Sequence, residues 1–429
     1  MDPQAYSPKN FDEQVVWHSI IWTYAFWLIG AMYLIAPVIG WILFLRMLKR
    51  IIFNDKRFTF CLAQQIWCIG MFVMLIALIV GHLDYQLGIL KLIKSSIGWA
   101  KGWALIALFP LLGSLNIRPE LLYRATCIVC KHTLILLPFF ILAWVLKLPA
   151  TLYTSPLRIL GGSGPEYFTV TLYEIDPGSG TPRWRLFTPW APALGMLANM
   201  FFIFATQEKS GSYRWCGYIG SLLMILVSQS RLALACYFIL IFYFSVIKWH
   251  KSPYLYFIAS PSLLLLGIFG STILDKLEQL LGAIKAARAG STRVRKHLGD
   301  IAVQRWANEA VVWGHGIVEK GPHLVEYMPI GTHHTWYGLL FVKGIVGAFA
   351  LAIPMLASAF LLITSIFHSV IGKVAFAFLL QLFLYTFGEN LETLAYLYWP
   401  GLIIIGIAHK QLHQQAVSKK QALIDKENE

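Results

Sequence analysis

Long runs of apolar residues dominate this 429-residue sequence. A helix of roughly 20 such residues crosses the hydrocarbon layer of a membrane, which is about 30 Å thick. Inside that layer the backbone must satisfy its own hydrogen bonds, which helices do. Only 13% of the residues are charged, against about 25% in soluble domains. The sequence therefore predicts an all-α fold, a single polytopic transmembrane helix bundle over residues 1–429.

The apolar runs predict eleven spans, and the mixed, amphipathic segment 83–101 either lies along the membrane interface or belongs to a twelfth span. The predicted spans are 19–45, 58–81, 102–117, 133–149, 190–206, 216–229, 232–247, 254–274, 336–366, 374–388 and 393–408.

Basic residues collect in alternate loops and give the chain a net charge of +14. Cytoplasmic loops of membrane proteins carry an excess of Lys and Arg, so this excess favours a membrane orientation over a nucleic-acid partner. The basic residues that set the orientation are Arg46, Lys49, Arg50, Lys56, Arg57, Arg118, Arg124, Lys131, Lys209, Arg214, Lys248, Lys251, Lys410, Lys419, Lys420 and Lys426.

This orientation places two long polar loops, 150–189 and 275–335, outside the cytoplasm. It places the short junction 228–231 on the same side and the basic tail 409–429 in the cytoplasm. The N-terminus is then expected outside, although one missed span would place it inside.

A metal centre is not expected. Cys127 and Cys130 form a CxxC pair with His132 nearby, but a zinc site takes about four ligands and the sequence has no second pair. The histidines of the second loop are irregularly spaced, and no HExxH pattern is present. We therefore expect no metal and no cofactor.

Arg231 is the first candidate functional residue. It stands between the apolar runs LLMILV and LALACYFILIF. A charged side chain beside the hydrocarbon layer is costly and is by default a functional hypothesis. The alternative is an arginine that extends its guanidinium to water at a helix end.

The loop 275–335 contains a tight basic cluster of Arg293, Arg295 and Lys296. Guanidinium groups match phosphate oxygens with paired hydrogen bonds, so this cluster suits a pyrophosphate. A solvated basic face or a contact with anionic headgroups explains it equally well. Trp184, Trp190 and Tyr167 of the first loop either stack on sugar rings or form an interfacial aromatic belt.

Five of the twelve histidines fall in or at the end of the same loop. Histidine titrates near neutral pH and commonly acts as a general acid or base. His333 precedes a predicted helix, whose N-terminal end carries partial positive charge, and this position favours a neutral imidazole. The sequence therefore predicts His333 as the base.

Three motifs follow in order along residues 215–350. Ser228-Gln-Ser-Arg231 precedes LALA. The stretch 292–316 reads TRVRKHLGDIAVQRWANEAVVWGHG, and the stretch from Gly331 reads GTHHTWYGLLFVKGIVG. They resemble the Ser-x-Ser-Arg helix start, the arginine-led helix with its Gly-x-Gly turn and the Gly-Ser-His segment of the O-antigen ligase and polymerase superfamily. These proteins are polytopic bacterial enzymes that act on lipid-linked glycans.

The resemblance implies two essential arginines and one histidine. Arg231 matches the first arginine and His333 the histidine; Arg293 fits the second arginine best, with Arg295 two residues away. His334 stands where the family often has a small polar residue. Beside the catalytic three, the residues expected to bind the pyrophosphate or glycan are Arg295, Lys296, Arg305 and His334.

The resemblance also implies transfer of a glycan from undecaprenyl pyrophosphate to a saccharide acceptor, without a metal, on the outer face of the bacterial inner membrane. The acceptor is either another lipid-linked repeat, as for a polymerase, or lipid A core, as for a ligase. A chain-length regulator or a flippase is a further expected partner.

Three alternatives stay open on sequence alone. A protein O-oligosaccharyltransferase shares the same chemistry. A transporter or flippase of a lipid-linked saccharide also needs an arginine-lined cavity, although its charges should spread through several spans and its halves should be related. A structural membrane protein that binds anionic lipid would leave the three motifs unexplained.

Overall fold

A computed structural model describes residues 6–53, 60–162, 164–176, 180–286 and 289–427. It confirms an all-α polytopic helix bundle. The α-helices of the described residues are α1 Phe11–Ile21, α2 Thr23–Leu28, α3 Met32–Ile52, α4 Leu62–Asp84, α5 Ile89–Lys101, α6 Trp103–Leu112, α7 Pro119–Val145, α8 Ala191–Ala205, α9 Gly211–Ser228, α10 Arg231–Trp249, α11 Pro253–Ala286, α12 Ala289–Glu309, α13 Thr335–Ile363, α14 Val370–Tyr385 and α15 Leu391–Glu427.

The strands are short and belong to the polar loops. They pair antiparallel as β1 with β2, β3 with β4 and β5 with β6. Their bounds are β1 Thr151–Thr154, β2 Thr169–Thr171, β3 Glu174–Ile175, β4 Pro182–Arg183, β5 Glu319–Lys320 and β6 Pro329–Ile330.

Six helices within the described residues are long and apolar enough to cross a membrane: Leu62–Asp84, Ile89–Leu112, Pro119–Val145, Arg231–Trp249, Thr335–Ile363 and Leu391–Asp425. Shorter apolar helices cover Ala191–Ala205, Ala259–Thr272 and Val370–Tyr385. Large apolar side chains stand exposed around the bundle, among them Phe72, Phe242 and Phe360. A lipid-facing surface has this character, and the chain is a multi-pass membrane protein. The count of eleven or twelve spans stays a prediction.

The N-terminal segment differs from the prediction. Instead of one span over 19–45, the chain reverses at Gly30, whose φ is +67°, and forms a hairpin of α1–α2 and α3. Asp12, early in α1, accepts hydrogen bonds of 3.0 and 2.9 Å from Arg46 and Arg50 near the end of α3. The start of α1 therefore lies at the same end of the bundle as the basic end of α3, and not at the opposite end; Lys56 and Arg57 of the predicted loop lie outside the described residues.

The amphipathic segment forms α5, which a bend at Gly102 separates from α6. Ile89, Ile93 and Ile97 are exposed on α5 at a spacing of four residues. This spacing places them along one face of the helix, as in helices that lie in the membrane interface. The predicted span 102–117 begins with α6, which ends at Leu112.

The first polar loop, 150–189, caps the tip of the N-terminal hairpin. Ser155 donates a hydrogen bond of 3.0 Å to the carbonyl of Ile29, and Tyr153 donates one to the carbonyl of Leu28. The second loop, 275–335, is largely helical, since α11 runs on to Ala286 and α12 follows it. The tail 409–429 continues α15 as a helix to Glu427.

Candidate functional site

A small pocket of about 60 Å³ lies where α12, the segment before α13 and the α14–α15 connection meet. Its polar walls are Arg295, Thr332, His333 and His334. The remaining lining residues are Leu298, Gly299, Ala302, Gly331, Tyr337 and Phe387.

His333 is held in an unusual backbone conformation. Its φ is +65°, in the left-handed region that costs residues other than glycine free energy. Two residues earlier, Gly331 has φ +91° and passes against Gly338 in the first turn of α13. A β-carbon on Gly338 would collide with the Gly331 carbonyl. The two glycines of this motif thus fold the segment back on α13 and turn His333 into the pocket.

The start of α13 is tied to residues 386–390, which we call the 386–390 turn. The amide of Thr335 donates to the Thr386 carbonyl at 2.9 Å, and the Thr335 hydroxyl donates to the Glu389 carbonyl at 2.6 Å. Trp336 donates from Nε1 to the Thr386 hydroxyl at 2.8 Å. These hydrogen bonds fix the position of His333 relative to the connection between α14 and α15.

His334 caps α13. Its Nδ1 accepts a hydrogen bond of 3.3 Å from the Tyr337 amide, and its ring stacks on the Tyr337 ring with centroids 3.9 Å apart. The neighbouring Phe387 ring meets it edge-on at 5.9 Å. His334 lines the pocket, but the cap and the stacking give it a structural role that the sequence did not predict.

Arg295 is the basic residue that α12 brings to His333. It lies on one helical stripe with Leu298, Gly299 and Ala302, all of which line the pocket. Arg293 precedes it by two residues, about 200° around the helix. Both arginines are exposed, but only Arg295 lines the pocket.

The sequence preferred Arg293 to Arg295 as the second arginine; the structure places Arg295 beside His333 instead. Lys296, also exposed, likewise lies outside the pocket lining. The expectation that Lys296 contacts substrate stays a prediction.

Burial and charge keep His333 neutral. Desolvation, followed by the positive charge of Arg295, lowers the pKa of His333 to about 4. The sequence expected a neutral imidazole from the helix end, whereas burial and Arg295 are the causes here. At neutral pH the ring is therefore neutral and can accept a hydrogen bond from a hydroxyl, while a pKa near 4 makes it a weaker base than a free histidine.

The stretch GEN between α14 and α15 is typical of a solvated turn, but the structure buries Glu389 there. Glu389 is only 4% exposed, and its Oε2 accepts a hydrogen bond of 3.0 Å from Trp190 Nε1. Burial raises the pKa of Glu389 to about 7, against the opposing effects of the Arg295 charge and the Trp190 hydrogen bond. A carboxyl group with a pKa near 7 can give or take a proton at physiological pH.

Arg231 stands at the first position of α10, and its side chain is exposed. Ser230 caps the helix, since its hydroxyl accepts from the Ala233 amide at 3.3 Å. Leu232, the next residue, packs against Gly388 in the 386–390 turn. The helix start that bears Arg231 therefore adjoins the turn that also holds the start of α13.

The first polar loop contacts the end of the bundle that holds the start of α10 and the 386–390 turn. Gln229, left-handed at φ +52°, donates a hydrogen bond of 2.9 Å to the Pro182 carbonyl. With the contact of Trp190 to Glu389, the structure brings the two long loops and the junction 228–231 to one end of the bundle.

Arg305 belongs to a separate ion-pair network. It donates to Glu309 at 2.7 Å and to Glu319 at 2.5 Å. Glu309 also contacts His315 Nε2 at 2.8 Å, and hydrogen bonds from Arg305 and His315 lower the pKa of Glu309 to about 2. With its guanidinium engaged by two carboxylates and outside the pocket lining, Arg305 serves here to anchor α12. Its predicted contact with substrate stays a prediction.

This ion-pair network of Arg305 lies where the second loop packs against a kink in α13. Gly344 breaks that helix with φ +64°. The amides of His315 and Gly316 donate to the carbonyls of Phe341 and Val342 at 2.8 and 3.0 Å, and the Ile345 amide donates to the Val311 carbonyl at 2.9 Å. Val311 and the Gly-x-Gly turn thus supply partners for backbone groups that the kink leaves free.

The aromatic residues of the first loop are mostly buried. Trp184 donates to the Phe140 carbonyl at 3.3 Å and is 8% exposed, and Tyr167 is 5% exposed. Neither offers a free face to a sugar ring. Trp190 is half-buried and contacts Tyr167 as well as Glu389.

Metal ligation finds no support among the described residues, where no three His, Cys, Asp or Glu side chains gather closely enough to hold an ion. Cys127 and Cys130 are buried on α7.

Sequence reasoning did not place Glu389 among the predicted site residues, and it preferred Arg293 to Arg295 as the second arginine. The stripe Arg295, Leu298, Gly299 and Ala302 was readable as one helix face, and it separates Arg295 from Arg293. No comparable signal marks Glu389 as buried, because GEN between two apolar runs is also typical of an exposed turn.

The fold and the pocket together define a multi-pass membrane protein with a histidine, an arginine and a buried carboxyl group at one end of its helix bundle. Compared with known proteins, the chain matches no family model, and no curated protein sequence matches it either.

Proposed function

We propose that this chain is a membrane glycosyltransferase that moves a glycan from undecaprenyl pyrophosphate to a saccharide acceptor, as the polymerase or ligase of a surface polysaccharide. The reaction would need no metal and would take place on the outer face of the bacterial cytoplasmic membrane. The observation that carries the proposal is His333, neutral and turned into a pocket beside Arg295, at the end of the bundle where α10 begins with Arg231.

In the proposed reaction an acceptor hydroxyl attacks the anomeric carbon of the donor glycan. The carbon–oxygen bond to the pyrophosphate breaks, and the bonding electrons leave with the pyrophosphate. His333 takes the hydroxyl proton. General base catalysis of this kind typically contributes a factor of about 10² to 10⁴ in rate.

Arg295 and Arg231 would hold the pyrophosphate and stabilise the negative charge that grows on it. Arginine forks suit phosphate oxygens, and fixed charges aimed at a leaving group are often the largest contribution to catalysis. Removing one of them would cost about 3 kcal/mol, or a factor of about one hundred in rate.

The test is glycan transfer by His333→Ala in membranes or nanodiscs supplied with lipid-linked glycan and acceptor. We expect the rate to fall at least about a hundredfold. His323→Ala is the matched control, because His323 is exposed in the same loop and does not line the pocket. Full transfer by His333→Ala would refute the assigned role.

The same reconstitution distinguishes the other functions. Movement of the lipid-linked saccharide across the bilayer without a new glycosidic bond would point to a transporter. Transfer to a protein hydroxyl and not to a saccharide would point to a protein O-oligosaccharyltransferase.

A further inference from the structure

A second cavity, of about 510 Å³, opens at the end of the bundle opposite the His333 pocket. We call it the basal cleft; it lies between the start of α1, the α6–α7 connection and α15. Leu391, beside the 386–390 turn, and Lys410, which lines the cleft, are 19 residues apart on α15, a rise of about 28 Å. That distance is close to the thickness of the hydrocarbon layer.

The rim of the basal cleft is basic. Lys9, Arg118 and Lys410 line it, against one lining acid, Glu13. Glu13 is 1% exposed and accepts hydrogen bonds from Arg118 at 2.8 and 2.9 Å, so its charge is already matched.

Neighbouring charges do not reverse this sign: Glu120, whose charge acts on Arg118, brings the acids to two against the three bases. Asp12 is equally buried and is paired with Arg46 and Arg50. Amide side chains complete the rim and can donate further hydrogen bonds; they are Asn10, Asn116, Gln411 and Gln414.

The floor of the cleft is apolar, formed by Gly113, Leu115, Ile117 and Ile407. Small inorganic anions gain nothing from such a floor, whereas an amphiphile with a phosphate head does. A volume of this size suits a headgroup-sized ligand.

We propose that the basal cleft binds the phosphate headgroup of an anionic phospholipid from the adjacent leaflet. Lys9 and Lys410 would contact the phosphate, the amides would contact the polar head, and the glycerol and first methylenes would lie on the apolar floor. The proposal does not rest on the proposed glycan transfer, since it concerns the other end of the bundle.

The test uses the full chain in neutral detergent, titrated with short-chain phosphatidylglycerol or phosphatidylcholine and followed by native mass spectrometry. We expect phosphatidylglycerol to bind more tightly. In Lys9→Gln/Lys410→Gln its affinity should fall about thirtyfold, because each lysine near an anionic head contributes a factor of about five.

Two further variants keep the result interpretable. Lys419→Gln/Lys420→Gln removes the same charge from the exposed part of α15, outside the cleft lining, and should change affinity less than about threefold. Lys9→Arg/Lys410→Arg keeps the charge and should retain binding, which separates loss of the site from loss of folding.

The outcomes that overturn the proposal are distinct. Equal losses in the two glutamine variants would mean diffuse surface charge, and no loss in either would mean that the cleft does not bind lipid. Inorganic phosphate or ATP binding as tightly as phosphatidylglycerol would replace the lipid by a soluble anion.

Discussion

Replacing Glu389 by glutamine should stabilise the protein above neutral pH and not below pH 4. The carboxyl group is buried in the 386–390 turn, where burial raises its pKa to about 7 from the ordinary 4.5. Glutamine has nearly the same shape, and its carbonyl oxygen can still accept the hydrogen bond from Trp190.

The direction and the size of this change in stability follow from proton binding by Glu389. Because the folded-state pKa is raised, the protonated group contributes stability that is complete below pH 4.5 and is lost as the pH rises through about 7. A rise in pKa from 4.5 to about 7 corresponds to about 3 kcal/mol. Glu389→Gln does not lose this contribution. Its free energy of unfolding should therefore exceed that of the native protein by up to about 3 kcal/mol at pH 8, and the two should be equal at pH 4.

The assay is thermal unfolding of the purified proteins at fixed scan rate between pH 4 and pH 8. An advantage of about 3 kcal/mol corresponds to a rise in Tm of about 3 °C for a chain of this length. Glu326→Gln is the control, since Glu326 is exposed in the second loop. A Tm difference between Glu389→Gln and the native protein that stays constant from pH 4 to pH 8 would show that Glu389 is not held in a desolvated site.

Two further predictions concern α12 and the kink that anchors it. Arg295→Gln should lower the proposed glycan transfer about a hundredfold and raise the pKa values of His333 and Glu389, because the Arg295 charge opposes protonation of both. Arg293→Gln should keep more than about a third of the activity, and equal losses in the two variants would contradict the placement of Arg295. Gly344→Ala should destabilise the protein by about 3 kcal/mol or more, because Gly344 has φ +64° and a β-carbon there would strike the Val312 carbonyl; Gly98→Ala, at an open position on α5, should leave Tm nearly unchanged.

The helix bundle was predictable from the sequence because long apolar runs directly indicate segments that are surrounded by lipid. The N-terminal hairpin was not. Residues 19–45 are apolar across the reversal at Gly30, so composition shows no break between α2 and α3. The turn is stabilised by distant partners, Tyr153 and Ser155, which donate to carbonyls at its tip. A contact of this kind, more than 120 residues away along the chain, leaves no local signal.

The residue types of the site were predictable, but their arrangement was not. His333 was identified as a neutral candidate base, and its lowered pKa agrees with that expectation. The choice between Arg293 and Arg295 depends on which face of α12 packs against α13, and that face is set by Val294, Leu298 and Ala302. The burial of Glu389 depends on Trp190 from a loop about 200 residues earlier.

The 386–390 turn explains how such distant segments stay aligned. It receives hydrogen bonds from Thr335, Trp336 and Trp190, and Leu232 packs on it. Lipid offers no hydrogen-bonding groups to the backbone. These contacts within the protein therefore fix the positions at which α10 and α13 begin. Arg295 is positioned by other contacts, since it belongs to α12. The ion pairs of Arg305 and the hydrogen bonds at the α13 kink hold that helix. The position of Arg295 and the position of the helix start that bears Arg231 therefore depend on separate sets of contacts.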